Sequence, residues 1–74
     1  MSIQVTGKIE RKGFGAGTWA LVSSSGETYE LHQAPRDLQK EGLTVKVHGQ
    51  IRDDIMTIAM IGPVLEVAEF QIEA

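Results

Sequence analysis

The side chains with the most capacity for chemistry in this 74-residue chain are two histidines, a run of serines and two adjacent aspartates. His32 and His48 follow no metal-ligand spacing, and the chain has no cysteine, so only carboxylates remain to complete a ligand set. The serines at 23–25 have turn composition and no identifiable base beside them, which predicts a loop rather than a nucleophile. Asp53 and Asp54 are adjacent in a turn and point in different directions, unlike the facing carboxylates of acid–base catalysis. We therefore expect no enzymatic activity, no metal site and no cofactor.

A second group of side chains is suited to binding rather than to catalysis. Its members are Lys8, Arg11, Lys12, Phe14, Lys46, His48 and Arg52. Arg11, Lys12 and Phe14 fall in a glycine-rich loop, Arg11–Gly17, while the other four share an outer face of a sheet if the first and fourth strands are neighbours. The loop lacks the last glycine of a dinucleotide-binding fingerprint and leads into a strand, which argues against a phosphate cradle.

The charges of the chain are divided between its two ends. The net charge is −3, but the chain up to and including Arg52 contains seven basic and five acidic residues, a balance of +2. After Arg52 there are five acidic residues and no basic one, a balance of −5. Such polarity steers charged partners at long range, whereas the overall acidity counts against a nucleic-acid module.

Two stretches alternate apolar and polar residues with the period of a half-buried strand, at residues 3–9 and 45–51. Asp53-Asp54 has turn chemistry, and the apolar stretch 55–61 (IMTIAMI) is typical of a strand covered on both faces. We therefore expect a β-hairpin over residues 44–61 that supplies much of the core. If its methionine-rich arm is left uncovered, it forms an apolar patch through Met56, Ile58 and Met60.

Residues 18–22 and 27–32 predict a second hairpin. Its inward row contains Trp19 and Tyr29, the only tryptophan and tyrosine, which we expect to fill the core of a small barrel. The expected outward row is Ala20, Val22, Thr28, Glu30 and His32. That row has no aromatic platform for stacking bases and carries a carboxylate, so it favours a solvated polar face over a nucleic-acid face.

The remaining segments predict one short helix and a last strand. Residues 34–42 have Pro35 in the first turn and Gly42 at the end, and we expect this helix to dock through Ala34, Leu38 and Leu43. Residues 64–72 form an extended segment whose apolar phase shifts by one residue, which predicts a β-bulge near Ala68-Glu69.

This order of strands, with the helix between strands 3 and 4, resembles that of an OB-fold barrel. The chain is similar to small bacterial OB-fold domains of unassigned function in a pattern of glycines and apolar residues that covers about its first two thirds. The matching residues are Gly7, Gly17, Trp19, Leu21, Gly26, Tyr29, Leu31, Gly42, Val45, Val47 and Gly49. The resemblance implies an all-β fold, a five- to six-stranded OB-like β-barrel with one short helix between strands 3 and 4. The length of 74 residues predicts a single domain over residues 1–74. It implies almost nothing about activity, because the matching positions are apolar residues and turn glycines.

We expect from these observations a non-catalytic binding or accessory module that contacts another protein or a second copy of itself, with strand 64–72 as one pairing edge. The alternative is an OB-fold that binds single-stranded nucleic acid or oligosaccharide, using the Arg11–Gly17 loop and the outer faces of strands 1 and 4. The acidic turn Asp53-Asp54, which flanks the usual ligand face, would repel phosphate. Residues 1–12 lack the features of a signal peptide and no stretch approaches a membrane span, so we expect a cytoplasmic protein without membrane contact.

Overall fold

A computed structural model describes residues 2–12, 18–55 and 61–73 of the chain. The described residues form five β-strands and one short helical turn. The strands are β1 (Ser2–Lys12), β2 (Thr18–Ser23), β3 (Thr28–His32), β4 (Thr44–Ile51) and β5 (Val64–Ile72), and a 3₁₀ turn spans Arg36–Leu38. The prediction of an all-β chain is thus confirmed. Within this part of the chain, no helix has the length and apolar character that crossing a bilayer requires.

The five strands close into one sheet in the order β1-β2-β3-β5-β4, with β4 returning to β1. All neighbours are antiparallel except β3 and β5, which run parallel over three residue pairs. β1 closes the sheet because its first half pairs with β4 and its second half with β2. Gly7 lies where the two pairings overlap, and a Cβ there would collide with the carbonyl oxygen of Val22. A side chain at this position would therefore push β1 away from β2.

The core lies inside the closed sheet and follows the predicted alternation. Val5 and Ile9 of β1 and Val45 and Val47 of β4 are buried on their inward rows. The whole cluster comprises Val5, Ile9, Leu21, Leu31, Leu38, Val45, Val47 and Leu65. Trp19 and Tyr29 pack against this cluster while remaining half-buried. The aromatic rings therefore extend the core rather than stand bare on the surface.

The predicted helix between β3 and β4 is wrong in kind, because the described structure has only the three-residue 3₁₀ turn there. Its hydrogen bonds join residues three apart, from Leu38 N to Pro35 O at 2.9 Å and from Gln39 N to Arg36 O at 3.0 Å. Pro35 at one end and Gly42 with φ +88° at the other leave too few residues for the costly nucleation of an α-helix. The expected docking does occur, since Leu38 is fully buried.

The predicted hairpin over residues 44–61 is also wrong, because both edges of β4 are already occupied. One edge pairs with β1 over Thr44–Gln50 and the other pairs with β5 over Val45–Ile51. Ile55 and Ile61 lie in no strand, and residues 56–60, which include the predicted methionine patch, lie outside the described residues. Five strands are therefore seen in the described chain, and the two partners of β4 are β1 and β5.

The predicted β-bulge in the last strand is confirmed. His48 faces Glu69 across the β4–β5 ladder while the next residue, Gly49, faces Val67, so Ala68 is the extra residue in β5. A Cβ on Gly49 would collide with the carbonyl oxygen of Glu66. The bulge moves the apolar row of β5 from Leu65 to Phe70, in agreement with the phase shift in the sequence.

Candidate functional site

Three of the predicted binding residues, Lys8, Lys46 and His48, lie on the outer face shared by β1 and β4. The antiparallel register places Lys46 opposite Thr6 and His48 opposite Gln4, and Lys8 lies at the end of the same row. The His48 Nε2 atom is 3.0 Å from the Ser2 hydroxyl oxygen. The structure therefore brings these three side chains onto one surface.

A shallow open groove of about 250 Å³ lies on this face where β1, β4 and β5 run side by side. It is lined by Gln4, Lys46, His48, Glu69, Phe70 and Gln71. The groove combines the ammonium group of Lys46 and the imidazole of His48 with the carboxylate of Glu69, so its charge is mixed rather than uniformly positive.

Arg11 and Lys12 lie at the far end of β1 and make other contacts. The Arg11 guanidinium lies over the Trp19 ring, 5.0 Å from its centroid, in a cation–π arrangement. The Lys12 Nζ atom lies 3.8 Å from a Glu10 carboxylate oxygen. Lys12 is six residues beyond the position that faces Lys46, or about 20 Å along the strand. The structure therefore does not bring this end of β1 together with Lys8, Lys46 and His48, which we call the Lys46 face. Phe14 lies outside the described residues.

Arg52 is held in an ion cluster at the end of β4. Its Nε and Nη2 atoms donate to the two carboxylate oxygens of Asp54 at 2.9 and 2.8 Å, and its Nη1 atom donates to Glu66 Oε2 at 2.9 Å. The hydrogen bonds from Arg52 lower the pKa of Asp54 to about 2, and the two carboxylates raise the pKa of Arg52 further above its ordinary value. The cluster ties the start of the β4–β5 connection to β5 and engages Arg52 within the molecule.

The outer face of β2 and β3 is not the solvated face that the sequence predicts. Ala20 is fully buried and Glu30 is 7% exposed, while Val22, Thr28 and His32 are half-buried. The prediction failed because alternation shows which row faces the core and does not show whether the other row is also covered. The middle of this row is therefore covered rather than open to solvent.

The β2–β3 turn holds a small polar cluster that the sequence analysis did not connect. The Ser25 hydroxyl donates to Glu27 Oε1 at 3.4 Å, and the Tyr29 hydroxyl donates to Glu27 Oε2 at 3.0 Å. Burial, followed by the Glu27 carboxylate, raises the pKa of Tyr29. The sequence signal for this contact is that Glu27 and Tyr29 are two residues apart, because residues two apart in an extended segment point to the same face. These hydrogen bonds close the turn. Among the described residues there is no cluster of three side chains that could hold a metal ion.

The most distinctive feature of the surface is the second half of β5. Glu73, the residue after β5, donates its backbone N–H to the carbonyl oxygen of Thr44 at 2.9 Å. Because backbone groups alternate in direction along a strand, those of Gln71 and Glu69 also point towards β4. The backbone N–H and C=O groups of Phe70 and Ile72 consequently point away from β4.

No strand of the described chain occupies that other side of β5. β3 pairs with β5 only from Val64 to Glu66, before the bulge. Within the residues described, Phe70 and Ile72 make no hydrogen bond on this side. The side chain of Ile72 is 46% exposed, and it is the exposed large apolar residue of the described surface. We call the outward backbone groups of Phe70 and Ile72 the β5 edge.

Comparison with known proteins adds no assignment. No family model matches the chain, and no curated protein or solved structure matches it with statistical significance.

Proposed function

We propose that this chain is a non-catalytic protein-binding module with an OB-like fold, which takes up an extended segment of a partner along the β5 edge. The observation that carries the proposal is the stretch of β5 beyond Glu66, which no strand among the described residues pairs with on the side away from β4. An extended peptide that adds to such an edge gains main-chain hydrogen bonds, while its side chains confer specificity.

The OB-like assignment is supported by the strand order. A closed sheet in the order β1-β2-β3-β5-β4, with β3 and β5 parallel and a helical turn between β3 and β4, resembles the five-stranded OB barrel. In that arrangement the first half of β5 closes the sheet against β3. The pairing with β3 ends at Glu66, two residues before the bulge at Ala68, and no described strand lies beside β5 beyond that point on the side away from β4.

Edge strands of natural proteins are usually blocked, and the means of blocking are weak here. Proline, lysine, other charged side chains, β-bulges and very short edges are the common devices, and of these β5 has the bulge at Ala68 and the carboxylates of Glu69 and Glu73. Residues 67–72 contain no proline and no lysine, and they extend six residues beyond the last one paired with β3. An edge of this length favours a partner strand over simple exposure.

A protein partner is favoured over nucleic acid by the state of the cationic residues. Arg52 is engaged with Asp54 and Glu66, and Arg11 stacks on Trp19. The outer face of β2 and β3 is buried at its centre. The remaining Lys46 face is the one observation that favours single-stranded nucleic acid or oligosaccharide as the second candidate, and its groove includes Glu69.

Selection of peptides from an unbiased display library on the immobilised full chain, followed by NMR titration, tests the proposal. A selected peptide should shift the amide signals of Phe70 and Ile72 and slow their hydrogen exchange. The matched pair Ile72→Pro and Ile72→Ala separates the backbone from the side chain, because both shorten the side chain and only proline removes the edge N–H. Proline is tolerated at an edge whose N–H faces solvent, and it should weaken binding by about 2- to 13-fold more than alanine through the lost hydrogen bond alone.

Two results would refute the proposal. One is a set of selected peptides that perturb only other surfaces. The other is single-stranded DNA or RNA that binds tightly at low salt, weakens steeply as salt is added, and is lost in Lys46→Glu while Ile72→Pro binds normally.

A further inference from the structure

Resting on the proposed function, we infer that the partner segment alternates apolar residues with lysine or arginine. The two faces of β5 beside the edge differ sharply in character. Phe70 and Ile72 belong to the inward row of β5, opposite Val47 and Val45 of β4. Glu69, Gln71 and Glu73 alternate with them and belong to the outer row.

An added strand must reproduce this division, because successive side chains of a strand point to opposite faces of the sheet. Its inward residues would lie beside Phe70 and Ile72 and extend the core, so apolar side chains fit there. Its outward residues would lie beside Glu69 and Glu73, where opposite charge stabilises a cross-strand pair and like charge destabilises it. The same division holds for a parallel and for an antiparallel partner.

The carboxylates of Glu69 and Glu73 are available for such pairs. Neither forms a salt bridge within the described residues, whereas Glu66 is engaged by Arg52. The basic side chains nearest in register, Lys46 opposite Gln71 and His48 opposite Glu69, belong to β4, on the other side of β5. A partner strand would lie about 5 Å from β5 and about 10 Å from β4, so the carboxylates dominate the field that it meets.

The same carboxylates disfavour a second copy of this chain as the occupant. A parallel copy in register would place Glu69 against Glu69 and Glu73 against Glu73. The antiparallel register that joins the edge groups of Phe70 and Ile72 would place Glu69 opposite Glu73 twice. Each copy also carries −5 after Arg52. The edge is therefore complementary to a basic partner and not to itself.

Four synthetic eight-residue peptides test this inference on the full chain, with NMR mapping and titration calorimetry. Three alternate valine with lysine, with serine or with glutamate, and the fourth has the lysine peptide's composition with residues in like pairs. Two cross-strand charge pairs should make the alternating lysine peptide bind about 2- to 30-fold more tightly than the serine peptide. The glutamate peptide should bind most weakly, and the paired-residue peptide should fall well below the alternating one.

Matched variants assign the preference to the two carboxylates. Glu69→Gln with Glu73→Gln should bring the lysine and serine peptides to the same affinity, and Glu69→Lys with Glu73→Lys should reverse the preference. Glu41→Gln, an exposed acid in the β3–β4 connection, removes one charge as a control and should leave the ranking unchanged. The glutamine pair keeps the side-chain volume and serves the test if the lysine pair does not fold.

The outcomes separate this inference from the function on which it rests. If all alternating peptides bind equally and perturb Phe70 and Ile72, the basic partner is refuted and the edge function stands. If no peptide reaches the edge, both are refuted. If light scattering shows a dimer that Ile72→Pro abolishes and that excludes the lysine peptide, a second copy is the occupant and the inference is overturned.

Discussion

Replacement of Leu38 by alanine should cost a large share of the stability of this domain. Leu38 is the buried residue of the 3₁₀ turn, with no exposed surface, and it packs into the core of the closed sheet. Truncating a buried leucine removes apolar area and leaves a cavity, which together cost about 2–5 kcal/mol. A chain of this size has a total unfolding free energy of about 4–11 kcal/mol. The variant should therefore be marginally folded.

The assay is thermal and urea unfolding followed by the fluorescence of Trp19, which packs against the same core. A loss of 2 kcal/mol corresponds to a fall in Tm of about 8–16 °C for a domain of this length. Asp37→Ala, an exposed position in the same turn, is the matched control and should leave the Tm nearly unchanged. If Leu38→Ala lowers the free energy of unfolding by less than about 1 kcal/mol, no more than the control does, the turn does not close the core and the reasoning is refuted.

Two further substitutions test the β4–β5 junction. Gly49→Ala should destabilise the chain by about 1–3 kcal/mol in urea unfolding, because its Cβ would collide with the carbonyl oxygen of Glu66; a neutral result would contradict the close approach at the bulge. Asp54→Asn should lower the free energy of unfolding at neutral pH but not near pH 2. Arg52 lowers the folded pKa of Asp54 from 3.8 to about 2, so the stability that this pair contributes is complete above about pH 4 and is lost as the pH falls to 2. Unfolding curves of the wild type and the variant should converge over that interval, and a difference that stays constant down to pH 2 would contradict the pairing.

The strands were predictable because local alternation is a direct consequence of one buried face. Residues 3–9 and 45–51 alternate cleanly and form the middle of β1 and most of β4. The bulge at Ala68 was predictable for the same reason, since an extra residue shifts the apolar phase of β5. These features are contained in short stretches of the chain and do not depend on which strands pair.

The pairing itself was not predictable from the same signal. The chain order and the turn at Asp53-Asp54 suggested that β4 pairs with residues 55–61, yet β1 and β5 occupy its two edges. Alternation also predicted a solvated outer row on β2 and β3, whereas Ala20 and Glu30 are buried. Both errors have one cause, because the period of a strand identifies its inward row and carries no information about long-range neighbours or about what covers its outer row.

Part of the candidate site could be predicted from the sequence. Residues 64–72 were identified as a strand with a possible pairing edge, and Lys8, Lys46 and His48 were expected on one face, where the structure places them. The register was needed to show that the β3–β5 pairing ends at Glu66 and that, among the described residues, no strand pairs with the outward backbone groups of Phe70 and Ile72. The engagement of Arg52 likewise depends on the proximity of Glu66, which is distant from it in the chain.

Residue-by-residue amide hydrogen exchange along β5, measured by NMR on the free chain and again with the alternating valine–lysine peptide, tests the central claim most directly. In the free chain the amide of Gln71, which faces β4, should exchange slowly, while those of Phe70 and Ile72 exchange close to the unprotected rate. The peptide should slow the exchange of Phe70 and Ile72 and leave that of Gln71 unchanged. Equal protection of Phe70, Gln71 and Ile72 in the free chain would show that the β5 edge is already occupied, and would contradict the account.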